Sequence, residues 1–196
     1  MNPEATQTRI LELVTEMVQM RGFNAVSYQH IADKIGIRKA SIHYHFKTKA
    51  DLGRAVIQRY RAMLQSVMDE AEAMNEPDYA KVWQAYLAPI NEMINGSDRA
   101  CLCGVLAAEY ETLSPDMQSE VKSFFTHHQD WLASLFKKGR QAGSFSFESY
   151  PDVMARLAFS ALQGAMLVQR ATGDQTQFKQ TIKEVNRALG LSFCTA

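Results

Sequence analysis

The sequence predicts an all-α fold of about nine helices, on three observations. Few segments alternate with period two, and the β-branched residues are scattered among Ala, Leu, Met, Gln, Glu and Lys, so strand signals are weak throughout. Apolar residues instead recur three and four apart. Residues that start or stop helices (Ser27, Thr48, Ser114-Pro115, Gly22, Gly36, Gly173) fall at the ends of these stretches. The chain has 196 residues, enough for one large domain or two small ones with a substantial core. Hydrophobic residues make up 46% and charged residues 21%, values that exclude both a disordered chain and a fibrous repeat.

The first helix runs from about Thr6 to Met20, with Ile10, Leu11, Val14, Met17 and Val18 on one face and Gly22 just past its end. Ser27 caps a short second helix, in which Ile31 and Ile35 lie four apart and which Gly36 ends. A third short helix, Arg38 to His45, turns Ile42 and Phe46 inward and leaves Lys39, Ser41, His43 and Tyr44 mostly outside. Two short helices about a glycine-containing turn make a helix-turn-helix. Thr48-Lys49-Ala50-Asp51 is a capping box that opens a long helix to about Asn75. Beyond Pro77 a helix from about Asp78 to Ile94 is interrupted or kinked near Pro89, and a loop follows at Asn95-Gly96-Ser97-Asp98. A helix from Cys101 or Leu102 to about Thr112 comes next. Ser114-Pro115 then starts a long helix that stops between Gly139 and Gly143. Tyr150-Pro151-Asp152 begins a helix rich in small residues to about Ala171, and after Gly173-Asp174 the last one ends near Gly190.

Whole-chain charge argues against a polyanion partner, because 21 basic residues balance 21 acidic ones. The average conceals a split. Residues 1–61 hold 10 Lys and Arg against 5 Asp and Glu, leaving 11 against 16 for the rest, so the two parts carry +5 and −5. The longest run without a charged residue, Leu157 to Gln169, is 13 residues, short of a membrane span. The N-terminus lacks the basic and apolar regions of a signal peptide. Three cysteines, Cys101, Cys103 and Cys194, are too few and too uneven for a disulfide framework, which points to a reducing, cytoplasmic setting.

The N-terminal segments Thr8-Arg9-Ile10-Leu11, Arg21-Gly22-Phe23, Ile31-Ala32-Asp33-Lys34-Ile35-Gly36-Ile37, Ser41-Ile42-His43-Tyr44-His45-Phe46 and Lys49-Ala50-Asp51-Leu52 occur in order and at characteristic spacing. Together they resemble the DNA-binding domain of TetR-family transcriptional regulators. The resemblance implies an N-terminal helix-turn-helix domain over 1–47, a connecting helix over 48–75, and an effector-sensing and dimerisation domain over 76–196. It also implies a homodimer, usually a repressor, on a double-stranded, palindromic DNA operator. Lys39 and Ala40 match family positions near bases. Lys39 suits guanine O6 or N7, Ala40 a thymine methyl, and Gln29 of the second helix an adenine. Ser41, His43, Tyr44, His45, Thr48 and Lys49 are candidates for phosphate contacts, Lys49 at a helix N-terminus. Arg38 and Ala40 stand where many relatives have Ser and Gly, so the operator cannot be borrowed from a relative. His30 reads as a surface or packing residue.

For the C-terminal part the resemblance implies an apolar effector cavity. Among the apolar and aromatic residues of the middle helices, Trp83, Tyr86, Met117, Phe124 and Trp131 are the lining candidates. On the eighth helix Ala155, Ala158, Ala161, Gly164 and Ala165 either allow close packing between two copies or are interior. Cys101, near a helix start and two residues after Arg99, fits a reactive thiol. Cys101-Leu102 through Ala108-Glu109, Leu113-Ser114 and Asp116-Met117 also resemble the electrophile-responsive repressors of the family, which puts Cys101 at the reactive-cysteine position and Arg170 as a cationic neighbour. The alternative is a structural Cys101 and a purely non-covalent apolar ligand. His127 and His128 read as helix-surface residues, and their geometry with Cys101 and Cys103 does not suit zinc. No nucleophile signature, phosphate loop, dinucleotide fingerprint or paired zinc motif points to an enzyme or a cofactor.

Overall fold

A computed structural model describes residues 3–75, 77–95 and 99–191, with the side chains of residues 3 and 75 excepted. Met1, Asn2, the expected loop residues Gly96, Ser97 and Asp98, and Cys194 lie outside the described residues. The elements are α1 (Pro3–Arg21), α2 (Tyr28–Ile35), α3 (Lys39–His45), α4 (Lys49–Asn75), α5 (Tyr79–Ile94), α6 (Leu102–Ala108), a 3₁₀ turn (Tyr110–Thr112), α7 (Pro115–Gln141), α8 (Pro151–Thr172) and α9 (Gln177–Ala188). Among the described residues there are nine α-helices and no strand. The chain divides into two compact units, Met1–Leu64 with Arg99–Phe124, and Gln65–Asp98 with Phe125–Ala196. The division falls inside α4 and α7, so each of these helices contributes residues to both units.

In the first unit, the apolar face of α1 is buried as its spacing requires: Ile10, Val14 and Val18 are fully enclosed. Ser27 accepts from the His30 N–H at 3.2 Å and caps α2. Gly36 ends α2 at φ +76°, a left-handed conformation that glycine adopts without a Cβ clash. The α4 capping box is reciprocal: the Asp51 N–H donates to Thr48 Oγ1 at 3.0 Å, and the Thr48 N–H donates to Asp51 Oδ2 at 3.1 Å. Leu52, Val56, Ile57, Tyr60 and Leu64 of α4 are buried, as are Met117, Val121 and Phe124 at the start of α7.

The second unit is centred on aromatic residues. Trp83 stacks with Tyr86 at 5.8 Å and meets the Phe136 ring edge-on at 5.5 Å, and all three are buried. The Trp83 indole N–H donates to Asn186 Oδ1 of α9 at 2.8 Å, satisfying a donor that burial cuts off from water.

Two expectations need correction, and on α8 one of the two open alternatives applies to most of the alanines. α5 runs through Pro89 without interruption, although the proline leaves the Ala85 carbonyl without its helical N–H partner. α6 stops at Ala108 and continues as the 3₁₀ turn, because Glu109 leaves helical geometry. On α8, Ala155, Ala158 and Ala165 are interior within a single chain, whereas Gly164 is open. We expect Asn186→Ala, which orphans the Trp83 N–H, to cost about 1–3 kcal/mol of stability. A lowered urea midpoint at unchanged slope checks this.

Candidate nucleic-acid interface and sensor residues

α3 has only seven residues and is held from beneath. Ile42 is fully enclosed and Phe46 nearly so, and the Tyr28 hydroxyl donates to the Phe46 carbonyl at 3.0 Å. Tyr28 also meets the His43 ring at 4.7 Å, on the flank of α3. Burial, with the nearby Asp51 charge, pushes the Tyr28 phenol up to about 12. With Ile42 turned inward, Ala40, His43 and Tyr44 are exposed, Arg38 and Lys39 are exposed at the start of α3, and Ser41 and His45 are half-buried. Tyr44 is 78% exposed and stands edge-on to His45 at 5.2 Å. A groove of about 490 Å³ runs between Thr6 of α1 and Arg38, Ala40, Ser41, Tyr44 and His45.

Gln29 is exposed on α2, but its amide donates to Asp33 Oδ1 at 2.8 Å. Thr48 and Asp51 face each other across the capping box, and these hydrogen bonds hold the Asp51 carboxyl below the usual carboxylate range. The Lys49 ammonium lies 3.2 Å from the Asn24 carbonyl and 4.8 Å from the centre of the Phe23 ring. Partial burial lowers its pKa, and the Glu109 charge opposes that shift. Lys47, exposed between α3 and α4, is a cation that the sequence reading passed over. Thr6 was missed too, and only the return of α1 beside α3 reveals it.

The sensor candidates divide between the two units. Cys101, Met117 and Phe124 belong to the unit that holds α1 to α3, whereas Trp83, Tyr86, Trp131 and Arg170 belong to the other. Cys101 is 4% exposed, and its Sγ lies 3.8 Å from the Tyr60 hydroxyl, which donates to it. Burial pushes the Tyr60 phenol well up, and both nearby thiols add to that shift. The Cys103 thiol is also pushed well up, by burial first and then by Cys101. Arg99, expected to act on Cys101, pairs with Glu16 at 2.9 Å. Phe124 lies 6.0 Å from the Tyr60 ring, and Met117 packs toward Gly53 and Phe23.

In the other unit Tyr86 lies 5.0 Å from Trp131, and Arg170 is half-buried on α8. Trp131 Nε1 and Gln163 Oε1 are buried without a hydrogen-bond partner. The expectation that both adjacent histidines sit at the surface is corrected. His127 is exposed and bonds Gln65, while His128 is 2% exposed and stacks on Phe159 at 5.5 Å. Neighbouring helix positions diverge by about 100°, which here puts His128 inside the apolar face of α7 and His127 outside it.

Residues 78–185, more than half of the chain, match the tetracyclin repressor-like C-terminal domain, and residues 10–56 match the bacterial regulatory proteins of the tetR family. The chain belongs to the TetR family. As a TetR-family protein it is a DNA-binding transcriptional regulator and not an enzyme. It is 26% identical to the HTH-type transcriptional repressor DhaR of Mycobacterium sp. (strain GP1), over 92% of this chain and 90% of that one. It is 23% identical to the HTH-type transcriptional repressor NemR of Escherichia coli, over 83% of this chain and 82% of that one. A TetR-family transcriptional regulator from Agrobacterium tumefaciens shares the fold with a TM-score of 0.89 and 30% identity, over 95% of this chain and 98% of that one. Among the described residues no helix is long and apolar enough to cross a membrane.

The raised phenols give a pH prediction for this TetR-type head. Their ionised forms are disfavoured in the fold, so their contribution to stability is fully present below the ordinary value of 10.0; that of Tyr28 is lost as pH rises through about 12, and that of Tyr60 as pH rises through its own raised value. Urea midpoints taken across that range should fall, and less steeply in Tyr28→Phe than in the wild type.

Proposed function

We propose that the protein is a cytoplasmic repressor that binds a pseudo-palindromic double-stranded DNA operator as a homodimer and releases it on effector binding. The observation that carries the DNA part is the exposed Arg38-Lys39-Ala40 edge of α3 above buried Ile42 and Phe46. Lys39 and Ala40 meet base edges there, with Gln29 and Arg38 beside them. Ser41, His43, Tyr44, His45, Thr48 and Lys49 meet phosphates and set register.

The dimer reading rests on α8, where Val153, Leu157, Leu167 and Val168 are 48%, 58%, 40% and 44% exposed on the face that carries the open Gly164. Two such faces pack closely because Gly164 has no side chain to hold them apart.

Two effector routes differ in chemistry. One is covalent modification of Cys101, supported by the resemblance to the electrophile-responsive repressors; a solved NemR structure is described as a reduced form. The other is a non-covalent apolar ligand among Trp83, Tyr86 and Trp131, with Arg170 in the same unit. It is favoured by the burial of Cys101 and by the partnerless Trp131 and Gln163 atoms, which suit a ligand carrying both an acceptor and a donor. Either route needs only a few kcal/mol of differential affinity between DNA-bound and released states.

Gel shifts across a salt series test the DNA reading. Lys49→Ala should weaken binding to all sequences and reduce the salt slope by about one, while Lys39→Ala should also relax base preference by about 1–3 kcal/mol. Equal binding by the wild type and both variants would sink it. For the effector, Cys101→Ser should abolish operator release by an electrophile if the thiol is the sensor, and should leave it intact if the non-covalent route holds.

A further inference from the structure

The segment that follows α6 reaches back to the turn between α1 and α2. Glu109 Oε2 accepts two successive backbone N–H groups, from Phe23 at 2.7 Å and from Asn24 at 3.2 Å. The Asn24 amide donates to Thr112 Oγ1 at 2.9 Å, and the Thr112 hydroxyl donates to the Glu109 carbonyl at 2.7 Å. Gly22 adopts φ +82°, and a Cβ there would run into the Glu109 carboxylate, so the turn is shaped around that group. The same turn holds Lys49, through the Asn24 carbonyl at 3.2 Å and the face of Phe23 at 4.8 Å. The Glu109 carboxylate therefore organises the corner from which Lys49, proposed above to contact phosphate, is presented.

We propose that Glu109 is a positioning residue for DNA binding, acting through residues 22–24 on Lys49. This rests on the DNA-binding assignment of the chain and on the phosphate role proposed for Lys49. Its sign separates it from electrostatics. An acidic group near a DNA-facing surface weakens binding by its charge, so removing that charge alone tightens the complex. Loss of positioning weakens it. Geometry separates Glu109→Ala from Glu109→Gln, because both backbone N–H groups share one oxygen and the Gln amide oxygen can take its place.

The test uses the full-length dimer and a duplex selected by the wild-type protein from random sequence, well below the melting temperature of every variant. Glu109→Ala should lose about tenfold or more in affinity, Glu109→Gln should stay within about threefold of wild type, and the Phe23 and Asn24 amides should exchange faster in the Ala variant. The Glu109→Ala, Lys49→Ala double variant should bind no more weakly than Lys49→Ala alone. Tighter binding by both Glu109 variants would reduce the residue to its charge. Unchanged affinity with a lowered melting midpoint would make it structural glue, and additive losses would uncouple it from Lys49; each result overturns the proposal. A wild-type protein that selects no duplex removes the DNA-binding reading itself, and a Lys49→Ala variant that binds like wild type removes the phosphate role on which the coupling depends.

Discussion

Burial of Ile42 and Phe46 beneath α3, with the Tyr28 hydroxyl tied to the Phe46 carbonyl, is the constraint on which the proposed DNA-facing surface depends. An isolated helix shorter than about 12 residues is marginal in water, so α3 cannot keep its shape by backbone bonds alone. Each enclosed side chain supplies about 1.5–3 kcal/mol of transfer free energy. Because Ile42 turns inward, Ala40 and Tyr44 turn outward, while Lys39 is exposed as the first residue of α3, whose start the Gly36 turn sets. The presented edge is thus a by-product of a packed one, and substitutions that read sequence differently can be made without touching the anchor.

Charge in the N-terminal third is sorted by use. Arg54 approaches Asp51 and Asp116 at 4.0 and 3.6 Å, Arg59 pairs with Glu12 at 2.8 Å, and Arg61 pairs with Glu120. Such surface pairs contribute little stability each, but they neutralise cations that lie away from α3. Arg38, Lys39 and Lys47 are exposed and have no ion pair among the described residues. Four of the ten cations of residues 1–61, Arg38, Lys39, Lys47 and Lys49, thus lie at α3 or at the start of α4.

The local parts of this structure were legible in the sequence. Ser27, Gly36, Thr48 with Asp51, and Ser114-Pro115 mark helix ends through bonds that span only a few residues, and the inward turn of Ile42 and Phe46 follows from their four-residue spacing. What escaped the sequence reading depends on partners far away in the chain. Nothing around Glu109 announces that its carboxylate meets Phe23, 86 residues earlier. His128 looks like its neighbour until Phe159 covers it. Arg99 sits two residues from Cys101, yet Glu16 takes its guanidinium.

The division of the chain into units has a consequence for biosynthesis. The unit that holds α1, α2 and α3 also needs Arg99–Phe124, and the intervening residues 65–98 belong elsewhere. A ribosome that has released the first 64 residues has delivered the whole helix-turn-helix but none of the Glu109, Thr112 and Met117 side chains that meet its turn and the start of α4. The reading head therefore completes itself only after another chain segment has emerged and closed a long loop, a step whose entropic cost is met before its contacts form. A fragment cut at the end of α4 carries every residue proposed above to face DNA and still lacks the Glu109, Thr112 and Met117 contacts.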